Sequence, residues 1–252
     1  MTIAITTSLR EHSDLREKAQ AIGKKLHLPV IERRKQSLTK LLQTREAILL
    51  VYDDKLRLVN QDGSEFVFHP DTAMLRIKSN HDALWDLLGQ NQLKILDTTM
   101  GLASDSIVMA AAGNAVTAIE SNPVIHFIVS EGLQSYQSEN QLLINAMRSI
   151  DTYCADNILY MKSLADNSFD VVYCDPMFSD RISESRNLDG LRQYANANPL
   201  SDDFLREAKR VARKKIIVKA HFRDDVFERF GFKRIVRPNQ KFHYGYIDLD
   251  ND

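Results

Sequence analysis

The stretch Ile95-Leu96-Asp97-Thr98-Thr99-Met100-Gly101-Leu102-Ala103-Ser104-Asp105 is followed by an apolar run to Ala112. It reads as a short buried strand ending on a carboxylate, a tight turn with one glycine, and the first turns of a helix. Such a joint brings backbone N–H groups and a helix N-terminus to the C-terminal edge of a parallel sheet, where ligands of open α/β sheets bind. Asp97 and Gly101 are therefore candidates for a ligand edge. A capping aspartate and a glycine also serve purely structural strand–helix joints, so the stretch by itself leaves the ligand open.

From Leu93 onward strands and helices alternate, the pattern of a parallel, doubly wound α/β sheet. Strands are predicted over Lys94 to Leu96, Ala115 to Ile119, Asp151 to Cys154, Phe169 to Cys174 and Ile216 to Lys219. Helices are predicted over Ser104 to Ala112, Val124 to Tyr136, Asp202 to Ala212 and Asp225 to Phe230, with a polar stretch before Ile150. Only a short turn joins Phe232–Val236 to Phe242–Leu249, so these two strands should pair antiparallel at the end of the sheet.

The second strand of this series ends at Glu120, about 20 residues after Asp97, and Ser121-Asn122-Pro123 opens the next helix. An acidic residue at that distance, on the tip of the second strand, is what a sheet-edge site uses to hold the two ribose hydroxyls of an adenosine. Its competing role is to favour the N-terminus of the following helix. Asp156, after the third strand, is placed either to accept from an adenine amino group or to cap its own turn.

Upstream, residues 1–75 read as a small α/β domain and residues 76–252 as the main one. Ile3–Thr6 and Leu28–Ile31 have strand character around a charged helical run from Ser8 to Leu26. Three further β-rich runs, Ala47–Tyr52, Leu56–Val59 and Glu65–His69, suggest a meander, the last two flanking the turn Gln61-Asp62-Gly63-Ser64. No cluster of His, Cys or carboxylates in this part suggests chemistry, so docking or packing is its expected role. The chain should cross to the second domain between Thr72 and Lys78, after which Asn80 caps a helix to Leu88 carrying Trp85 as a core residue.

With 252 residues, 44 % of them hydrophobic, the chain can bury a real core. No apolar run reaches the length of a membrane span and the start lacks a secretory signal pattern, so a cytoplasmic location is expected. Cys154 and Cys174 lack metal or redox spacing and read as small buried hydrophobes, and no metal is expected. The formal net charge is −1, yet Arg206 to Lys241 holds thirteen Lys/Arg against four acidic residues. That local excess suits either a polyanionic partner or a solvated helix face.

Asp175-Pro176-Met177-Phe178, at the tip of the fourth strand, has a specific physical use. An exocyclic base amine is a poor nucleophile because its lone pair is delocalised into the ring. A carboxylate (Asp175) and a backbone carbonyl (Pro176) accepting its two hydrogens would aim that lone pair at an electrophilic methyl group, with the Phe178 ring stacked on the base. The alternative is a strand that ends in an Asp-Pro turn with Phe178 as a core plug. A long polar segment, Ser179 to Pro199, follows and reads as a loop over a site.

The segments Asp97–Asp105, Glu120-Ser121-Asn122-Pro123-Val124 and Val171–Phe178 resemble class I S-adenosylmethionine-dependent methyltransferases, and more narrowly the bacterial small-subunit ribosomal RNA guanine-N2 methyltransferase J family. Ile216–Lys219, Lys241-Phe242-His243-Tyr244 and Ala73-Met74 with Arg76 and Lys78 are similar to that family more loosely. The resemblance runs from about Thr72 to Leu249. It implies a Rossmann-like seven-stranded methyltransferase sheet, mostly parallel with the last strand antiparallel, and S-adenosylmethionine as methyl donor. It also implies N2-methylation of a guanine, with ribosomal RNA or the small ribosomal subunit as partner. Asp97, Thr98, Gly101, Asp105, Glu120, Ser121, Asp156 and Asp175 would then serve the cofactor, and Asp175, Pro176 and Phe178 the reaction. The chain departs from the family pattern at Ala103 and Ser104, where a second glycine and a basic residue are usual, and at Lys219-Ala220-His221, where Lys-Arg-Pro is usual.

A dinucleotide dehydrogenase would want a fuller Gly-x-Gly-x-x-Gly turn and would leave Asp175–Phe178 without a role. A cytosine C5 methyltransferase would need a cysteine nucleophile, but Cys174 neighbours Asp175 and should face the other side of the sheet. Transfer to a protein or small molecule, and a non-catalytic RNA-binding module, remain as rival readings; the oligomeric state is not legible.

Overall fold

The structure, a computed structural model, describes residues 2–9, 12–79, 81–176 and 200–249, and within these the chain divides into two compact units. Residues 2–69 together with a helix over 123–135 form the first, and residues 70–122, 136–176 and 200–249 the second. The expected cap at Asn80, the predicted loop Ser179–Pro199 and Phe178 lie outside the described residues.

In the first unit, strand β1 (Ile3–Thr7) leads into helix α1 (Ser13–Leu26), which starts five residues later than its charge pattern suggests, at an N-cap made by His12. Leu28–Ile31, expected as a strand, contributes a single bridge from Val30 to Ile5. Helix α2 (Leu38–Leu42), capped by Ser37, precedes β2 (Ala47–Val51), which is buried throughout and pairs parallel with β1. The meander follows as β3 (Leu56–Asn60) and β4 (Glu65–Val67), joined by a turn in which Gly63 takes φ +83, the left-handed region open to glycine.

The second unit begins with α3 (Asp71–Lys78), where the sequence suggests only a crossing segment. Pro70 precedes it and no side chain caps it, so the usual start signal is missing. Asp82 caps α4 (Ala83–Leu88), and the half-buried Trp85 donates its indole N–H to the Val108 carbonyl at 2.7 Å. Then come β5 (Lys94–Asp97), α5 (Ser104–Ala111), β6 (Ala115–Glu120) and the Pro123–Ser135 helix, α6, which groups with the first unit. Helix α7 (Gln141–Arg148) occupies the stretch expected to be merely polar; Asn140 caps it and Leu143, Ala146 and Met147 bury one face. The remainder is β7 (Asp151–Cys154), α8 (Asn157–Lys162), β8 (Phe169–Cys174), α9 (Asp202–Val211), β9 (Ala212–His221), α10 (Val226–Arg229), β10 (Lys233–Ile235) and β11 (Phe242–Asp248).

These strands form one seven-stranded sheet in the order β10-β11-β9-β8-β5-β6-β7. Every pairing from β9 to β7 is parallel, and β11 alone runs against its neighbours β9 and β10. The Rossmann-like sheet expected from the sequence is therefore present. Helices α8, α9 and α10 cover one face, burying Leu96, Phe169, Val172, Cys174, Phe204, Ile216 and Phe227 in one apolar layer. Cys174 is buried as expected; Cys154 is exposed, because β7 is the edge strand with a neighbour on one side only. Among the described residues no helix is long and apolar enough to cross a membrane.

Candidate active site

Parallel pairing sends the C-terminal ends of β5, β6, β8 and β9 to one edge of the sheet, and the start of β11 returns to the same edge. Asp97 closes β5 and is 1 % exposed. Its Oδ1 accepts the N–H of Thr99 at 3.0 Å and its Oδ2 the hydroxyl of Ser106 at 2.5 Å, so the carboxylate shapes the turn that follows it. Burial, opposed by those hydrogen bonds, pushes its pKa up to about 7. Thr98 directs its hydroxyl to the Tyr173 carbonyl at 2.9 Å and stitches β5 to β8.

Gly101 takes φ +49 and donates its N–H to Glu120 Oε2 at 3.3 Å, while Glu120 Oε1 accepts the Asn122 N–H at 2.8 Å. The carboxylate thus bridges the two turns after β5 and β6. Burial raises its pKa. A Cβ on Gly101 would meet nothing nearer than the Thr99 carbonyl at 3.9 Å, which leaves the outer side of the turn open. Ala103, fully buried, is held at φ +59. An L-residue there costs about 1 kcal/mol, which explains in backbone terms why a glycine suits this position. Ser121 is exposed beside Glu120, and Asp156 Oδ1 caps α8 by accepting the Leu159 N–H at 2.9 Å.

A second group of charges adjoins the first. Asp175 follows β8, with its side chain 28 % exposed, and its N–H donates to Thr99 Oγ1 at 2.7 Å. That bond ties the Asp-Pro turn to the turn after Asp97. Lys219 Nζ, from β9, lies 2.6 Å from Asp175 Oδ2 and 2.9 Å from Asp105 Oδ2. Asp105 Oδ1 accepts from Arg76 at 2.5 Å, and Arg76 also forks onto Asp82 at 2.8 and 3.0 Å and reaches the Tyr244 hydroxyl at 3.4 Å. Three carboxylates face two fixed cations, so the group has an excess of negative charge. Burial alone would raise the Asp105 pKa, but Lys219 and Arg76 together outweigh it and hold this carboxyl below the usual range. At Asp175 burial and the Asp105 charge outweigh Lys219, and the pKa rises. Tyr244 is pushed up to about 12, first by burial and then by Asp105. The Tyr173 hydroxyl, fully buried near Asp105 and Asp175, makes no hydrogen bond among the described residues.

Of the residues singled out in the sequence, Gly101, Glu120 and Ser121 come together at the tips of β5 and β6, with Asp97 and Thr98 beneath them. Asp105 joins Asp175 in the charged group, Pro176 follows Asp175 half-buried, and Asp156 caps the helix after β7. Sequence reasoning missed the roles of Thr99, Asp82, Lys219 and Tyr244. One signal was present: Lys219 is a lone charge closing the apolar run Ile216-Ile217-Val218, where a buried partner has to be near.

The SAM_MT family of SAM-dependent methyltransferases matches residues 31–229. The chain belongs to this family. The methyltransferase is 36 % identical to the Uncharacterized protein YpiP of Bacillus subtilis, over 96 % of this chain and 98 % of that one. It is 32 % identical over 138 residues to the Ribosomal RNA small subunit methyltransferase J of Hahella chejuensis, and 29 % over 130 residues to that of Marinobacter nauticus. It spans about half the length of these two relatives, 48 % and 46 % respectively. The crystal structure of the SAM-dependent methyltransferase NGO1261 from Neisseria gonorrhoeae shares the fold, with a TM-score of 0.66 at 16 % identity over 99 % of this chain and 97 % of that one.

S-adenosylmethionine is accordingly the methyl donor of this methyltransferase. The residues present fit it. The Glu120 carboxylate retains acceptor capacity beyond its backbone N–H contacts, as recognition of a ribose diol requires, and the open side of Gly101 leaves room for a ligand against the turn.

Proposed function

We propose that this methyltransferase transfers a methyl group to the exocyclic N2 amine of a guanine in small-subunit ribosomal RNA. The observation that supports the reading is the Asp175 N–H bond to Thr99 Oγ1, which ties the Asp-Pro turn to the turn after β5 that this proposal assigns to the cofactor. Glu120 holds the ribose of the donor, with Gly101 and Ser121 beside it. When bound, S-adenosylmethionine supplies a methyl group on a positively charged sulfur. Asp97 and Thr98 keep the turn in shape, and Asp156 stands after β7, where an adenine ring would extend.

Asp175 and the Pro176 carbonyl accept the two hydrogens of the acceptor amine and direct its lone pair. Alignment of this kind, with little polar reorganisation, supplies most of the rate enhancement. Lys219 holds the Asp175 carboxylate in one orientation and favours its ionised form against burial. The ribosomal RNA partner, a cytoplasmic location and a docking role for the first unit belong to the same proposal. Its support is the local likeness to the ribosomal RNA methyltransferases of Hahella and Marinobacter, together with the basic segment from Arg206 to Lys241.

Nucleoside mass spectrometry of small-subunit ribosomal RNA from cells with and without the gene tests the proposal. Loss of N2-methylguanosine at one position on deletion, restored by the purified protein with S-adenosylmethionine, is the expected result. An unchanged content overturns the RNA reading and redirects the search to protein or small-molecule acceptors.

A further inference from the structure

Phe222 and Phe242 are 38 % and 42 % exposed, unusual for rings this large, and they stand next to each other at the sheet edge that carries Asp175. Phe242 opens β11 and pairs in register with His221, the last residue of β9; the Phe222 N–H donates to the Lys241 carbonyl at 2.8 Å, fastening the two loops together. The His221 ring contacts both phenyl rings, its centre 4.6 Å from that of Phe222 and 5.9 Å from that of Phe242. Backbone pairing and ring contact therefore hold the rings as a preformed platform.

The chain around it is basic. From Lys219 to Phe242 there are seven Lys/Arg and three acidic residues, although Lys219 is held by Asp105 and Asp175, Lys233 by Asp248 and Arg234 by Glu228. The Arg223 guanidinium lies over the Phe222 ring at 5.1 Å, and Lys219 Nζ lies 5.7 Å from the Phe242 ring centre while bonded to Asp175. One lysine thus connects the aromatic platform to the acceptor carboxylate.

Resting on the proposed RNA reading, we infer that Phe222 and Phe242 form a stacking platform for the unpaired nucleotides that flank the acceptor base, with the surrounding basic side chains facing the phosphates. The partner is single-stranded RNA. An exposed ring takes only a base that has left its own stack, because paired bases present edges and phosphates to a protein surface but not their faces.

Fluorescence anisotropy with a labelled decauridylate, which contains no guanine, separates this inference from the methylation reading. The full-length protein should bind it with a strong salt dependence and should bind an RNA duplex of equal charge more weakly. Phe222→Leu and Phe242→Leu should each weaken decauridylate binding roughly tenfold, while S-adenosylmethionine uptake by calorimetry, the check on folding, stays at the parent value. Variant affinities within about twofold of the parent, or a duplex bound as tightly as the single strand, overturn the platform. Should decauridylate bind as expected while ribosomal RNA carries no dependent methyl group, the platform stands and the guanine assignment falls. Should ribosomal RNA carry the dependent methyl group while both leucine variants bind decauridylate like the parent, the guanine assignment stands and the platform falls.

Discussion

Lys219 Nζ and Asp175 Oδ2 lie 2.6 Å apart, joining the tips of β9 and β8 across the edge where the two turns meet. Removing the cation should let burial and Asp105 drive the Asp175 pKa still higher, since both already push in that direction. A Lys219→Met variant should therefore lose methyl transfer at pH 7 and recover part of it as pH rises, because the proposed alignment of the acceptor amine uses the Asp175 carboxylate. Its acidic limb in a pH–rate profile should move upward relative to the parent. A profile that drops uniformly at all pH values would assign Lys219 a purely structural role.

Asp175→Asn keeps the shape of the side chain but replaces one of its two carboxylate acceptors with an NH₂ donor. We expect methyl transfer to fall about 100-fold or more, the scale of a misaligned reacting group. S-adenosylmethionine affinity, measured by calorimetry, should stay within about threefold of the parent, a small effect beside the 100-fold loss. Full activity in this variant would remove Asp175 from the reaction.

Arg76 neutralises Asp82 and Asp105, whose side chains are 8 % and 9 % exposed. Truncation to Met leaves two buried carboxylates without their shared cation, and breaking a buried pair typically costs about 3–5 kcal/mol. Urea unfolding of Arg76→Met should show a loss on that scale. A change below about 1 kcal/mol, the range of a surface pair, would mean that the group is far more hydrated than its burial indicates.

Asp97 makes stability depend on pH in a definite direction. Its pKa is raised in the folded protein to about 7 from an ordinary 3.8, so its contribution is complete below the ordinary value and is lost as pH rises toward 7. Asp105 works in the opposite sense, but its loss falls below the ordinary carboxylate range and outside this window. Asp97→Asn should make the urea midpoints fall less steeply between pH 4.5 and 7.5, removing a slope worth on the order of 4 kcal/mol and leaving the smaller same-sign contributions of Glu120 and Asp175. Parallel curves for parent and variant would contradict the burial argument.

Cys154 is exposed and pairs in register with Glu120, whereas Cys174 is buried in the apolar layer. A disulfide reagent should modify one thiol in the native protein and two in denaturant. Saturation with S-adenosylmethionine should slow the native reaction, since Glu120 is assigned to the donor's ribose. Labelling that is indifferent to the cofactor would move the ribose away from β6.

The sheet is legible in the sequence because its signals are local. Apolar β-branched runs at Phe169–Cys174 and Ala115–Glu120, the first followed by Asp175-Pro176 and the second by Ser121-Asn122-Pro123, announce parallel strands without help from the rest of the chain. Helix α7 is hidden because its cap, Asn140, and its apolar residues Leu143, Ala146 and Met147 sit among polar neighbours that mask the period. Helix α3 is hidden because nothing caps it. The tips of β5 and β6 can be read as a site because each carries its acid at a strand end. Long-range charge pairing has no such signature: Arg76, Asp105 and Lys219 are far apart in sequence, and only the folded sheet shows that they neutralise one another. Cys154 escapes a correct reading because the short strand Asp151-Thr152-Tyr153-Cys154 does not itself reveal whether it is central or at the margin.

The strand order has a consequence for how such a protein can diversify. Residues 94–156 supply the half of the sheet assigned to the donor, and the chain from Asp175 through Phe242 supplies the half assigned to the acceptor. Each half is one uninterrupted length of polypeptide; Thr99 joins them through the Asp175 N–H, and Thr98 ties the first half to the Tyr173 carbonyl just before the second. A lineage can therefore rewrite the later half for a new recipient while the earlier half goes on holding the same currency of methyl groups, provided those two threonine contacts survive.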